Sequence, residues 1–429
     1  MSTPEFEHWV DLFADPASPG VSVGVELRGR RIFEATRGLA NLEWREPVNS
    51  QSVFRIASLT KQFTAAAIVH LSENGRLGLD DAIARHLPQF GPAGAKITLR
   101  HLLNHTSGIG DYTSDPGFMA RQVRNEHSTA ELIEIISGLP SDFEPGARCL
   151  YSNSGYVLLG AIVEACAGVQ YADYVQETFF KPLGLTSTRY LHDHEVVPMR
   201  ASGYSRLPEL RNAPMIAMSN PHAAGGLGST ASDLLSWSAA LRGGRVVSAA
   251  GYSSMTTPAR PADGGDLTRG FGLFRHTVRG DVVIAHSGSI FGFAAHLAHW
   301  PAHDLAVAAL ANSDPFPIEQ LAYGLARRAL GQRDAAYAPL AIGRGTLASS
   351  EGRFVFPNAE VLDLSQSHGG LASSFPRLGS LFRPYGEDRF FLADDPEVTF
   401  RFTDETRRAV ILQDYRTSMT GTRAELLEQ

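Results

Sequence analysis

The chain has 429 residues, 43% of them apolar and 19% charged, and a formal net charge of −7. That length supplies two to three domains with a large core, and an acidic chain without a Lys/Arg run argues against a nucleic-acid binder. Two cysteines, Cys149 and Cys166, exclude a disulfide scaffold and read as free thiols in a reducing compartment.

The first eight residues lack the basic segment and apolar run of a secretory leader, so the chain reads as cytoplasmic. Residues 21–27, 28–30 and 31–36 read as strand, turn and strand. Residues 58–74 read as a helix, with apolar Phe63, Ala66, Ala67, Val69 and Leu71 on its pattern and Asn74-Gly75 as the stop. Its most apolar stretch, 63–71, is too short to span a bilayer, so no membrane association is expected. The pattern from about 76 to 200 is helical with Gly/Pro-rich loops, including helices at 99–103, 128–137 and 156–167. A further helix is expected at 229–241, capped by Ser229 or Thr230.

Strand character returns at 270–275, 282–286, 293–299 and 305–311, followed by a helix at 318–330. Strands at both ends of a helical middle predict an α+β domain. Its antiparallel sheet is flanked by helices, a helical lobe is inserted, and the cleft lies where sheet and lobe meet. Composition shifts near 331–339. The expected boundaries are a catalytic domain at 1–335, a linker at 336–349 and an accessory domain at 350–429. Short strands at 352–356, 360–364, 378–384, 390–393, 399–402 and 409–412 predict that the last domain is a small antiparallel β-barrel or sandwich.

Three segments carry candidate chemistry. The chain has only three lysines against 35 arginines, and one of them closes Ser58-Leu59-Thr60-Lys61. Arginine holds its proton at any useful pH, whereas a desolvated lysine can release it and act as a base. A three-residue separation on a helix places both side chains on one face, nucleophile beside base. Alone, this segment reads as well as an N-cap serine and a surface lysine. The second segment, Tyr151-Ser152-Asn153 in a Gly-rich loop, offers a phenol that can relay protons and an amide beside it. Alone, it reads as a packed ring and a turn-closing Asn. The third is His286-Ser287-Gly288-Ser289 after an apolar strand. A backbone N–H there, at Gly288 or Ser289, would pair with the Ser58 N–H as an oxyanion site.

Taken in this order, the segments resemble the serine β-lactamase and penicillin-binding-protein superfamily. The likeness is strongest to its class C-like branch, with D-aminopeptidases, D-amino-acid amidases and family esterases. The stretches 102–109, 179–186 and 224–233 also look like recurring family segments, so the resemblance covers about 15–335. It implies a β-lactamase-like fold and an acyl-enzyme on Ser58, with Lys61 as its base partner. It further implies that Tyr151 relays protons, that Asn153 orients Lys61 and substrate, and that His286 lines the opposite wall. No cofactor and no metal are implied, and the 15 histidines show no metal-ligand spacing.

The third motif departs from the Lys-Thr-Gly of β-lactam-binding members. A histidine is mostly neutral at pH 7, so tight recognition of a free carboxylate, and with it β-lactam turnover, is not expected. His-x-Gly is similar to the D-aminopeptidase and amidase subgroup, and the C-terminal module is similar to the accessory barrels of such enzymes. The reading is therefore a serine hydrolase of small amides or peptides with D-amino-acid preference, in which Asp111 would meet a substrate α-ammonium. An esterase of short acyl esters is the alternative, and a non-catalytic acyl-binding sensor is the alternative of another class. The expected partner is a small amide, peptide or ester; no nucleic acid or membrane is expected, and the sequence leaves room for a homodimer.

Overall fold

The computed structural model describes residues 3–206, 209–265, 268–341, 344–356, 361–373, 381–393, 395–403, 406–413 and 418–424. The chain divides into two compact units. One takes in residues up to 275 together with 282–318, and the other 276–281 with 319 onward.

The first unit is built on an antiparallel sheet. Five of its six strands are Val21–Leu27 (β1), Arg30–Arg37 (β2), Asp281–Ile290 (β3), Phe293–Trp300 (β4) and Leu305–Ala311 (β5), in the spatial order β3-β4-β5-β1-β2, and the sixth, Phe274–Val278, lies at the edge beside β3. The sheet joins sequence-distant ends: Val21 lies opposite Ala311 and Leu27 opposite Leu305. All seven residues of β5 are buried, as suits a strand covered on both faces.

Four helices position the site: Thr60–Glu73 (α1), Asn153–Ala167 (α2), His222–Gly225 (α3) and Ala231–Arg242 (α4). Every residue of α1 from Thr60 to Val69 is buried, so the helix runs through the core rather than along a surface. Phe63 stacks on Trp237 of α4 at 4.0 Å between ring centres. The packing depends on small residues at the crossings. A Cβ added at Gly24 would lie 2.7 Å from Leu235, and one at Gly160 of α2 would lie 2.4 Å from Ala223 of α3.

Several expected boundaries move. The helix expected from residue 58 opens as a 3-10 turn, Ala57–Leu59, before α1 begins. The helix expected from 156 starts at Asn153, because the Ser152 hydroxyl accepts from the Gly155 N–H as an N-cap. Thr230 caps α4, while Ser229 ends the short strand Leu227–Ser229. The strand expected at 270–275 is corrected to Phe274–Val278. The Gly270 N–H turns back to the Leu273 carbonyl, and Gly272 has φ +65° with the Lys61 carbonyl 2.5 Å from where a Cβ would sit. The third motif lies inside β3, which continues to Ile290 instead of ending at 286.

In the second unit, eight strands close an antiparallel barrel: Gly352–Val355 (β6), Val361–Ser367 (β7), Gly370–Ser373 (β8), Leu381–Pro384 (β9), Arg389–Leu392 (β10), Asp395–Phe402 (β11), Ala409–Gln413 (β12) and Ser418–Arg423 (β13). Strands β6 and β13 seal it, with Phe354 opposite Arg423. Phe354, Phe382, Phe390, Phe400 and Phe402 are buried. Phe390 stacks on Phe400 at 4.7 Å, and Phe382 meets it edge-on at 4.9 Å. Closure decides for the barrel over the sandwich. Strands β8 and β13 have no counterpart in the sequence reading, and residues 360 and 378–380 of two expected strands lie outside the described residues. A helix, Arg344–Ser349, occupies the end of the stretch expected as a linker.

Candidate active site

Ser58 sits in the 3-10 turn that feeds α1, directly after Ala57, whose φ of +47° is uncommon for a residue with a side chain. Lys61 lies one turn on, fully buried, with its Nζ 3.2 Å from Ser58 Oγ. Nζ also donates to Asn153 Oδ1 and to the Ala224 carbonyl, each at 2.8 Å. Burial pushes the Lys61 amine down to about 7, with nearby Asp111 opposing the shift. A neutral amine has two N–H bonds and one lone pair. Its two donors are spent on Asn153 and Ala224, so the lone pair is left for the Ser58 hydroxyl proton.

Asn153 is held in turn from outside. Its backbone N–H and side-chain Nδ2 reach Asp111 Oδ2 at 2.8 and 3.4 Å, and Nδ2 also donates to Thr113 Oγ1 at 2.9 Å. Asp111 Oδ1 accepts from the Thr113 N–H and hydroxyl at 2.9 and 2.8 Å. Both oxygens of Asp111, the residue expected to meet a substrate ammonium, are engaged by Thr113 and Asn153.

The Tyr151 ring stands beside this network, 4.8 Å from Lys61 Nζ. It stacks on His105 at 4.6 Å, and the Arg269 guanidinium lies 5.2 Å from its centre. The guanidinium faces the ring's negative quadrupole. His105 is buried, and burial drives its imidazole well below the ordinary range. Its Nδ1 accepts the Ser152 N–H at 3.1 Å, so the ring is a neutral support under Tyr151.

The opposite wall is β3. His286 stacks on Phe274 at 4.5 Å and lies 6.2 Å from Tyr151, and its Nδ1–H donates to the Ser287 carbonyl at 2.6 Å. Gly288 passes so close to the Ser58 turn that a Cβ would lie 2.2 Å from the Ile56 carbonyl and 3.1 Å from the Ser58 nitrogen. Ser289 follows, exposed on the strand.

The fold thus brings Ser58, Lys61, Tyr151, Asn153, His286 and Gly288 together from segments 230 residues apart. Sequence reasoning missed Thr113, His105, Arg269 and the Ala224 carbonyl. Thr113 and Arg269 carry no motif of their own, His105 lies in the recurring segment 102–109, and Ala224 lies in 224–233, where only backbone is used. Among the described residues no group of three or more His, Cys, Asp or Glu side chains could hold a metal, and no single helix is long and apolar enough to cross a membrane.

The chain is similar to several known proteins. Penicillin-binding protein 4* of Bacillus subtilis is 31% identical over 306 residues, covering 67% of this chain and 66% of its own length. A D-aminopeptidase of Gluconobacter oxydans is 27% identical over 295 residues, covering 68% of this chain and 56% of its own. The chain therefore spans between half and two thirds of these relatives' lengths. A D-stereospecific amidohydrolase from a Streptomyces species superposes with a TM-score of 0.67 at 26% identity, over 78% of this chain and all of its own. The pattern of the beta-lactamase family matches residues 7–331, and the chain belongs to that family.

Proposed function

We propose that this protein is a serine hydrolase that cleaves small amides or peptides through an acyl-enzyme on Ser58, with preference for D-amino-acid substrates. The observation that carries the reading is the Lys61 amine. It is buried, held near neutrality at pH 7, and 3.2 Å from Ser58 Oγ, with its lone pair directed there by two fixed acceptors.

Neutral Lys61 takes the Ser58 proton as Oγ attacks the substrate carbonyl carbon. The oxyanion meets the backbone N–H of Ser58 and one from the β3 edge at Ser289, across the close approach at Gly288. The Lys61 ammonium and the Tyr151 phenol return a proton to the leaving amine, and the C–N bond breaks. Water then attacks the ester on Ser58, losing its proton to the same pair, and releases the acid. Asp111 and Thr113 keep Asn153, and through it Lys61, in register. His286 closes the cleft beside Tyr151.

The D-preference is supported by the D-specific activities after which the Gluconobacter and Streptomyces relatives are named. The test is hydrolysis of D-alanine and L-alanine p-nitroanilides side by side, with Ser58→Ala as the blank. Expected is D-selective turnover that the substitution abolishes. Turnover of short p-nitrophenyl esters with neither anilide cleaved would replace the amidase by the esterase. A cytoplasmic location and a homodimer belong to the same proposal, tested by fractionation and by light scattering.

A further inference from the structure

The far end of the cleft carries a carboxylate that the chemistry above does not use. Ala294 of β4 pairs with Ser289 of β3 on one side and with Ala311 of β5 on the other. The chain leaving β5 therefore emerges level with Ser289, and three residues on it reaches Asp314. Ser289 Oγ donates to Asp314 Oδ1 at 3.1 Å, and the contact is open to solvent. Ser289 adjoins Gly288, the residue pressed against the Ser58 backbone. Asp314 is thus one hydrogen bond from the oxyanion edge.

No described cationic side chain forms an ion pair with Asp314. The backbone N–H of Arg206 donates to the Asp314 carbonyl, while its guanidinium has Nε on Ser313 Oγ at 3.0 Å and its charge 5.8 Å from the centre of the Phe316 ring. Burial raises the Asp314 carboxyl, and the Ser289 hydrogen bond offsets this in part. The permanent cation of the cleft, Arg269, lies instead on Tyr151. The cleft is therefore polarised, positive at the Tyr151 end and negative at the Ser289 end.

We propose that Asp314 is a specificity-determining residue that selects substrates by charge. Held beside the oxyanion edge by Ser289 and unopposed by a cation, it rejects amides carrying a free carboxylate and favours those that are cationic or uncharged at that end, such as amino-acid amides. The inference rests on the hydrolase reading above and names its substrate class. A charge within a few ångströms of a half-desolvated carboxylate is worth about tenfold or more in binding.

Two matched pairs test it, with the carboxylate on either side of the scissile bond. D-alanyl-glycine is compared with D-alanyl-glycinamide, and N-succinyl-D-alaninamide with N-acetyl-D-alaninamide. In at least one pair the native enzyme is expected to prefer the member without the free carboxylate about tenfold or more in kcat/KM. Asp314→Asn should shrink that ratio to within about threefold, mainly through KM, and Asp314→Glu should keep it. A folding defect lowers both members of a pair alike and leaves the ratio unchanged, so the ratio reads the charge alone. The same ratios of Kd, measured by calorimetry in Ser58→Ala with and without Asp314→Asn, test the selection without turnover. Absence of Ser58-dependent hydrolysis would remove the hydrolase reading, and the Kd ratios would still decide this one. Equal ratios with Asp and Asn at 314, in both pairs, overturn it.

Discussion

Lys61 is a buried amine with two fixed acceptors and a serine hydroxyl, and its titration links catalysis to stability. The neutral form is the base, so kcat/KM should rise with pH along a limb centred near 7. A pH–rate profile on an uncharged amide checks this, and a limb near 10 would mean that burial does not tune the amine. The stability sign follows from proton counts. Between about 7 and the ordinary 10.5 the folded chain binds fewer protons at Lys61 than the unfolded chain. The cost of burying the ammonium is thus full below 7 and fades as pH climbs to 10.5. Lys61→Met removes that dependence. Its stability relative to the native chain should be more favourable at pH 6 than at pH 9, by on the order of 2–4 kcal/mol in urea unfolding. Asp111 acts through the same group. Its charge holds the Lys61 amine up, and its oxygens hold Asn153. Asp111→Asn should move the rate limb to lower pH and cut kcat about 10- to 100-fold, with KM for D-alaninamide within about twofold. A large rise in KM with kcat intact would restore it to the role of ammonium partner.

At the scale of elements, the site depends on where helices cross. Helix α3 supplies the Ala224 carbonyl to Lys61 and the Ala223 carbonyl to Thr64, and α2 rests on α3 at Gly160. A methyl group at 160 has 2.4 Å to Ala223, too little for any Cβ, so the helices must part. Gly160→Ala should cost about 1–3 kcal/mol in unfolding and lower kcat, because the displaced carbonyl no longer fixes the amine. Native stability with full activity would mean that α3 does not set Lys61. The same crossings explain what could be read in the sequence. Ser58, Lys61, Tyr151 and Asn153 were legible because each motif places reactive side chains at fixed local spacing. Thr113 and Arg269 were not, because each acts through a contact across the fold with no local pattern, and His105 lies in the recurring segment 102–109, which does not show its stacking under Tyr151. Asp111 was noticed for its charge, while its hydrogen bonds to Thr113 and Asn153 are visible only in the structure. The turn at 270–273 was read as strand because alternating Phe271 and Leu273 imitate one, whereas the close approach of Gly272 to Lys61 forbids it.

At the scale of the whole molecule, the two units are built on different principles. The first relies on long-range pairing, with β1 zipped onto β5 and α1 buried between sheet and helices. The second is a run of hairpins in chain order, closed only by β6 on β13. Local pairing is why most of its strands could be read from the sequence. The hairpin strands β8 and β13 escaped because Gly370-Leu371-Ala372-Ser373 and the Gly/Thr-rich end carry few apolar alternations. A closed barrel has no free edge and surrounds its own cluster of Phe354, Phe382, Phe390, Phe400 and Phe402. Such a cluster suffices for a chain of this length without disulfides or metal. Residues 344–429 expressed alone should therefore give a cooperatively folded β-protein, with a strand-type circular dichroism spectrum and a single urea transition. A non-cooperative urea profile would show that the barrel draws its stability from the rest of the chain, including residues 276–281, which group with it.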